Sequence, residues 1–199
     1  IHDFDKAAAL VPGDYQAYYK RGIALFNVHE YQHSIKDFTK AIELHPYNDD
    51  FFFYRGSAYF NLAKYNQAIK DFEICLQKNP DKHDALLRKA MCHEYSENYA
   101  LADVDYTAYL KQHPKSAKIN YMSANVKYSL GDWVGAEELF SRVIEKKPKD
   151  KMAYFHRGMA RFNQRSTNKA KLDLACKDFV TAKNLGYLAG YNQMKGNCK

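Results

Sequence analysis

Along the chain, apolar residues recur at three- and four-residue intervals in runs of about 14 residues, parted by short polar stretches, and the runs come in pairs. That spacing puts the apolar side chains on one face of a helix, so each run predicts an amphipathic helix and each pair a helical hairpin. All five prolines, Pro12, Pro46, Pro80, Pro114 and Pro148, lie 34 residues apart. Proline has no amide hydrogen and clashes with the preceding turn, so each one closes a helix. The segments leading into them repeat chemically, as IHDFDKAAALVP, IKDFTKAIELHP and IKDFEICLQKNP show. The chain is one structural unit copied in register, the signature of a repeat array.

Small residues recur where two helices would cross closely: Gly22, Gly56, Ala90, Ala124 and Gly158 in the first helices, and Ser34, Ala68, Ala102, Ala136 and Ala175 in the second. Tyr31, Tyr65, Tyr99, Trp133 and Leu172 follow the predicted hairpin turns, and Phe4, Phe38, Phe72, Tyr106, Phe140 and Phe179 sit further along the second helices. This set resembles the tetratricopeptide repeat over essentially the whole chain. The resemblance implies an all-α, right-handed superhelix of five hairpins, with repeats at 15–48, 49–82, 83–116, 117–150 and 151–187. Residues 1–14 align with the second helix of a truncated repeat, so the native polypeptide is expected to begin upstream. The last repeat carries an insertion, because Asn163 to Ala175 spans 12 positions where Asn61 to Ala68 spans 7. It ends in Gly186 instead of proline, and residues 188–199 read as a capping helix over the last apolar face.

Composition changes this picture in two ways. The chain is 46% apolar and carries a formal charge of +7, but residues 1–99 hold 12 Lys/Arg against 14 Asp/Glu while residues 100–199 hold 18 against 9. The basic excess gathers at Lys111, Lys115, Lys118, Lys146, Lys147, Lys149 and Lys151 and around the insertion at Arg161, Arg165, Lys169 and Lys171. Such a field can steer an acidic partner toward the C-terminal half. Nucleic acid is disfavoured as a partner, because the lysines fall at turns and the aromatics on helices. No apolar run approaches the roughly 18 residues of a membrane span.

Cys75 and Cys92 take places held by alanine in other repeats and read as small core residues. Cys176 and Cys198 do not, and are either a disulfide pinning the cap or two free thiols. The ACKDF and LGY segments with a cysteine near the end are similar to the C-terminal ends of tetratricopeptide proteins of Bacteroidetes-type bacteria, many of them exported. A bonded pair would imply an oxidising compartment, with periplasm or cell envelope favoured over cytoplasm.

No catalytic constellation, phosphate loop or cofactor motif is present, and His29 and His33 have no third ligand nearby, so neither enzyme, cofactor nor metal is expected. Arg21, Arg55, Lys89 and Arg157 precede the small crossing residue, and Asp37, Asp71, Asp105 and Asp178 precede the second-helix aromatic. In the fourth repeat both are lost together, to Ser123 and Leu139, which predicts ion pairs inside each hairpin. The resemblance also implies a groove lined by first helices that binds a protein or peptide partner. Its candidates are Tyr19, Phe53, Tyr121 and Phe155 in one row and Phe26, Phe60, Tyr128 and Phe162 in another, with Asn27, Asn61, Asn125 and Asn163 beside them. Aromatics would give contact area, and asparagine amides would bond a peptide backbone. The same aromatics could instead pack adjacent first helices. The lysine–asparagine clamp that some family members use on acidic tails is missing at Tyr19 and Ile23. The expected function is a non-enzymatic scaffold, with an envelope assembly subunit or the regulatory arm of an upstream catalytic domain as alternatives.

Overall fold

The computed structural model describes residues 6, 10–166, 168 and 170–198, the side chain of Gln193 excepted. Most of the expected truncated repeat, and Thr167 and Lys169 of the insertion, lie outside the described residues. The chain is all-helical there. The helices are α1 (Tyr15–Asn27), α2 (Tyr31–Leu44), α3 (Asp49–Asn61), α4 (Tyr65–Lys78), α5 (His83–Tyr95), α6 (Tyr99–Gln112), α7 (Ala117–Ser129), α8 (Trp133–Lys146), α9 (Lys151–Asn163), α10 (Ala170–Asn184) and α11 (Leu188–Met194), with a final 3-10 turn at Lys195–Asn197. Contacts divide the chain into two compact units, 1–101 and 102–199. In the first, α1 packs on α2, α2 on α3, α3 on α4 and α4 on α5; in the second, α7 packs on α8, α8 on α9, α9 on α10 and α10 on α11.

The closest approach within a hairpin is between a first helix and the aromatic of its second. A Cβ added to Gly22 would come within 2.7 Å of the Phe38 ring, and one added to Gly158 within 2.5 Å of Phe179. Phe38, Phe72, Phe140 and Phe179 are fully buried at this place, as are Ala41, Ala68, Cys75, Ala136 and Ala175 around them. Burial also pushes the thiols of Cys75 and Cys92 up to about 12, so both stay protonated and inert at neutral pH.

The three arginines among the hairpin bases close within their own repeats. Arg21 Nη2 donates to Asp37 Oδ1 at 2.6 Å, Arg55 Nη2 to Asp71 Oδ1 at 2.7 Å and Arg157 Nη2 to Asp178 Oδ1 at 2.7 Å, and each arginine's Nε bonds the other carboxylate oxygen. These forks also reach backwards, which the co-occurrence of base and acid did not predict. Arg55 Nη1 donates to Thr39 Oγ1 at 3.1 Å and Arg157 Nη1 to Ser141 Oγ at 3.2 Å, both on the preceding second helix. Each such arginine is therefore a strap between repeats as well as within one. In the fourth hairpin, the paired replacement by Ser123 and Leu139 leaves a cavity of about 280 Å³ that Thr107 and Leu110 also line. The buried Ser123 hydroxyl has no hydrogen-bond partner there among the described residues.

The turns show where helix termination lies. α2, α4 and α8 each end at a cap residue outside the helical region, His45, Asn79 or Lys147, and proline follows immediately. Inside the hairpins, His29, Ala63, Glu97 and Gly131 stand at one register position, all with positive φ (65°, 55°, 60° and 79°). The amide after each reaches back into the helix, as Lys64 N does to Tyr59 O at 2.9 Å. This is the left-handed helix cap that glycine favours, and only Gly131 supplies it. Gly186 closes α10 the same way at φ 94°. Tyr187, which caps the start of α11, then lies against Phe155 at 5.0 Å, and Cys176 is bonded to Cys198 with their α-carbons 5.5 Å apart.

Ala63 is exposed in its turn, so replacing it costs no packing. Ala63→Gly is expected to raise stability by about 1 kcal/mol. Circular dichroism melting should show a Tm increase of about 2–4 °C, with Gly131→Ala giving the opposite sign.

Candidate functional site

The site begins with what the first-helix aromatics touch. The Tyr19 ring lies 4.7 Å from Phe51 and 5.9 Å from Tyr54, and Phe26 lies 6.1 Å from Tyr54 and 5.4 Å from Tyr31. Phe60 sits 5.9 Å from Tyr65 and 5.7 Å from Tyr95. These rings bridge successive first helices, and all three stay half-buried. Phe53 has Lys82 Nζ 5.3 Å and the Arg88 guanidinium 5.6 Å from its centroid. Lys82 itself is held by Asp49 and Asp50, an arrangement that no repeated motif announced. Burial and the nearby Asp50 push the Tyr19 hydroxyl well above its ordinary value, so it acts as a neutral donor.

In the second unit, Tyr121 packs on Phe140 at 5.4 Å and on His156 at 5.8 Å. Burial pushes its hydroxyl up to about 12. Phe155 was expected on the groove but is 8% exposed, because α11 covers it through Tyr187. Phe162 carries the Arg165 guanidinium 3.7 Å above its ring, and Asn163 spends its amide on the Tyr128 hydroxyl at 2.8 Å. Asn125 is out of register with the other asparagines: it sits one helical turn earlier, at the place of Ile23 and Ser57.

What stays accessible is concentrated in the first unit. Asn27 and Asn61, at the C-terminal ends of α1 and α3, are exposed, and their side chains make no hydrogen bond among the described residues. Each stands beside a half-buried ring, Phe26 or Phe60. Tyr95, at the same register position in α5, is 51% exposed and stacks near both Phe60 and Tyr65 at 5.7 Å. Tyr95 was missed by sequence reasoning, which sought asparagines; counting 34 residues on from Asn61 would have found it.

Two of the basic residues around the insertion, Arg161 and Lys171, are held by carboxylates of the chain itself. Arg161 bonds Glu137 at 2.9 Å and Asp178 at 2.8 Å, and Lys171 bonds Glu137 at 2.6 Å. Gln164 donates to Glu137 at 2.9 Å and to the Trp133 carbonyl at 3.2 Å. The lengthened turn is thereby tied to α8. Burial works against the Glu137 charge, but hydrogen bonds from Lys171, Arg161 and Gln164 outweigh it and hold the carboxyl below its ordinary value. Among the described residues, no group of three or more histidines, cysteines and carboxylates is placed to hold a metal, and no helix is long and apolar enough to cross a membrane.

Tetratricopeptide-repeat family models match residues 15–48, 38–70, 94–151 and 121–171. Among curated proteins, none matches the chain significantly by sequence. Among solved structures, YrrB, described as a TPR protein with an unusual peptide-binding site, aligns with TM-score 0.82 at 18% identity over 96% of this chain and 97% of its own. A MamA structure aligns with TM-score 0.76 at 18% identity, over 93% and 95%. Residues 41 to the end of MamA from Desulfovibrio magneticus RS-1 align with TM-score 0.74 at 17% identity, over 86% and 94%. At these identities the likeness is one of fold.

The Glu137 network predicts a pH signature. A carboxyl whose folded pKa is depressed stabilises fully above its unfolded value, 4.5 for glutamate, and loses that contribution as pH falls through the folded value. Glu137→Gln should therefore be less stable than the parent in urea at pH 7, and the gap should shrink by pH 3.

Proposed function

The chain belongs to the tetratricopeptide-repeat family, and from that premise we propose that it is a non-enzymatic scaffold holding an extended peptide or a partner's helix against its first-helix face. Proteins of this family are interaction scaffolds and generally non-catalytic. The observation that carries the reading is the pair of exposed, unbonded amides at Asn27 and Asn61, each beside an aromatic that the neighbouring helix already holds rigid. An amide so placed offers a donor and an acceptor to a peptide backbone at no cost to an internal bond. The ring beside it supplies apolar contact without losing side-chain entropy on binding. Tyr95 extends this row by one repeat. The peptide-binding site of YrrB supports the same use of a similar fold. In the second unit the contacts are Tyr121 and Asn125, the latter one turn earlier than Asn27 and Asn61, whereas Phe155 and Asn163 serve the fold. The Cys176–Cys198 bond favours an oxidising compartment outside the cytoplasm.

A second reading, attachment to an assembly through the second helices, draws on Val104 and Val134, which are 64% and 68% exposed on α6 and α8. The two readings separate experimentally. Peptides selected by display against the whole chain should bind Asn27→Ala/Asn61→Ala at least tenfold more weakly by fluorescence anisotropy, with the far-ultraviolet circular dichroism unchanged. Val104→Asp/Val134→Asp should leave that binding intact. The reverse result would support the assembly reading and sink the first.

A further inference from the structure

The second unit holds a small apolar pocket whose rim is basic. Its volume is about 330 Å³, and it lies where the start of α7, the end of α8 and the start of α9 converge. Met122, Val143 and Met152 form the floor with Tyr121, while Lys118 and Lys147 stand at the rim. Val143 is only 1% exposed, so the floor continues into the core. Lys118 and Lys147 are exposed, as are Lys146 and Lys149 on either side of Lys147, and none of the four makes an ion pair among the described residues. This sets them apart from Arg161, Lys171 and Lys127, cations of the same unit that are held by carboxylates. The one carboxylate at the rim, Asp150, is occupied in capping α9, accepting from the Met152 and Ala153 amides at 3.1 Å.

We infer that this pocket is a docking site for an acidic linear segment of a partner protein, which inserts one aliphatic side chain between Met122, Val143 and Met152 while its flanking carboxylates meet Lys118, Lys146, Lys147 and Lys149. The charge argument fixes the sign of the partner. Unpaired lysines crowded on one turn repel one another, and a partner's carboxylates relieve that repulsion on binding. The pocket fixes the anchor: it is apolar at its floor and, at about 330 Å³, has room for an aliphatic side chain, so a purely electrostatic ligand would leave it unfilled. A free terminal carboxylate is not required, because the lysines lie along the turn and not around a single point. The inference rests on the scaffold reading and shares Tyr121 with it, but its lysines and methionines belong to the other unit from Asn27 and Asn61, so the two can fail separately.

The test uses the whole chain and a labelled peptide of Asp and Glu around a single central leucine, acetylated and amidated at its ends. The expected result is saturable binding that weakens steeply between 50 mM and 300 mM salt. It should weaken about tenfold or more on changing the central leucine to alanine. Lys118→Glu/Lys147→Glu should abolish it with helicity intact, since both side chains are exposed. Asn27→Ala/Asn61→Ala, in the other unit, should leave it unchanged. Equal binding of the leucine and alanine peptides would overturn the pocket anchor. No binding of the peptide alongside lysine-dependent binding to vesicles containing phosphatidylserine would overturn the protein partner in favour of an anionic membrane. Loss of peptide binding in the asparagine variant instead would merge this site with the first and overturn its independence.

Discussion

The close seating of one helix on the aromatic of the next is the constraint that orders everything else. Where Phe38 and Phe179 press within about 3 Å of the place a Cβ would take at Gly22 and Gly158, the two backbones are drawn together as far as sterics allow. That proximity lets a turn of only three residues join α1 to α2, although the equally close α9 and α10 are joined by a longer one. It also brings the residue before the glycine to the residue before the phenylalanine, which is where arginine meets aspartate. The ion pairs thus follow from the packing. Their carboxylates are 3–5% exposed, so each depends on its arginine to remain charged in the interior.

The backward reach of Arg55 and Arg157 gives these straps a second role. A guanidinium has five donors in a rigid fork, and a single carboxylate satisfies only two of them. Thr39 and Ser141 take a third, so the same side chain that closes one hairpin registers it on the previous one. In the fourth hairpin the fork and its acceptor are gone together. Thr107 keeps a hydroxyl at that register with no guanidinium from Ser123 to receive, and a cavity takes the place of the strap.

The repeat architecture was legible in the sequence because a 34-residue period carries the same packing problem five times, and the same side chains solve it each time. The helices, the proline stops, the buried cysteines and the hairpin ion pairs all descend from that period. The left-handed turn position was not legible, because His29, Ala63 and Glu97 obscure the glycine preference that Gly131 alone displays. The Glu137 network was not legible either. It joins α8, α9 and α10 through an insertion that occurs once, so there was no second copy to compare. At the candidate site, residue types were found but their states were not. A row of aromatics does not reveal that one ring lies under the cap, or that another is covered by an arginine.

The distinction between repeated and unrepeated residues bears on where recognition resides. A residue present in every repeat answers a demand that every repeat makes, and that demand is packing. Phe38 and Phe179, in a row that is aromatic in every repeat, meet their neighbours in the way such a residue must. A ligand, by contrast, touches a particular stretch of the array and has no reason to respect the period. The places where the period breaks are therefore the informative ones: Tyr95 where asparagine stands in three other repeats, Lys118 beside a methionine-lined pocket, and the unpaired lysines from 146 to 149. Each break leaves the helix that bears it intact. The array keeps its stability in what every repeat shares and its selectivity in what only some repeats carry.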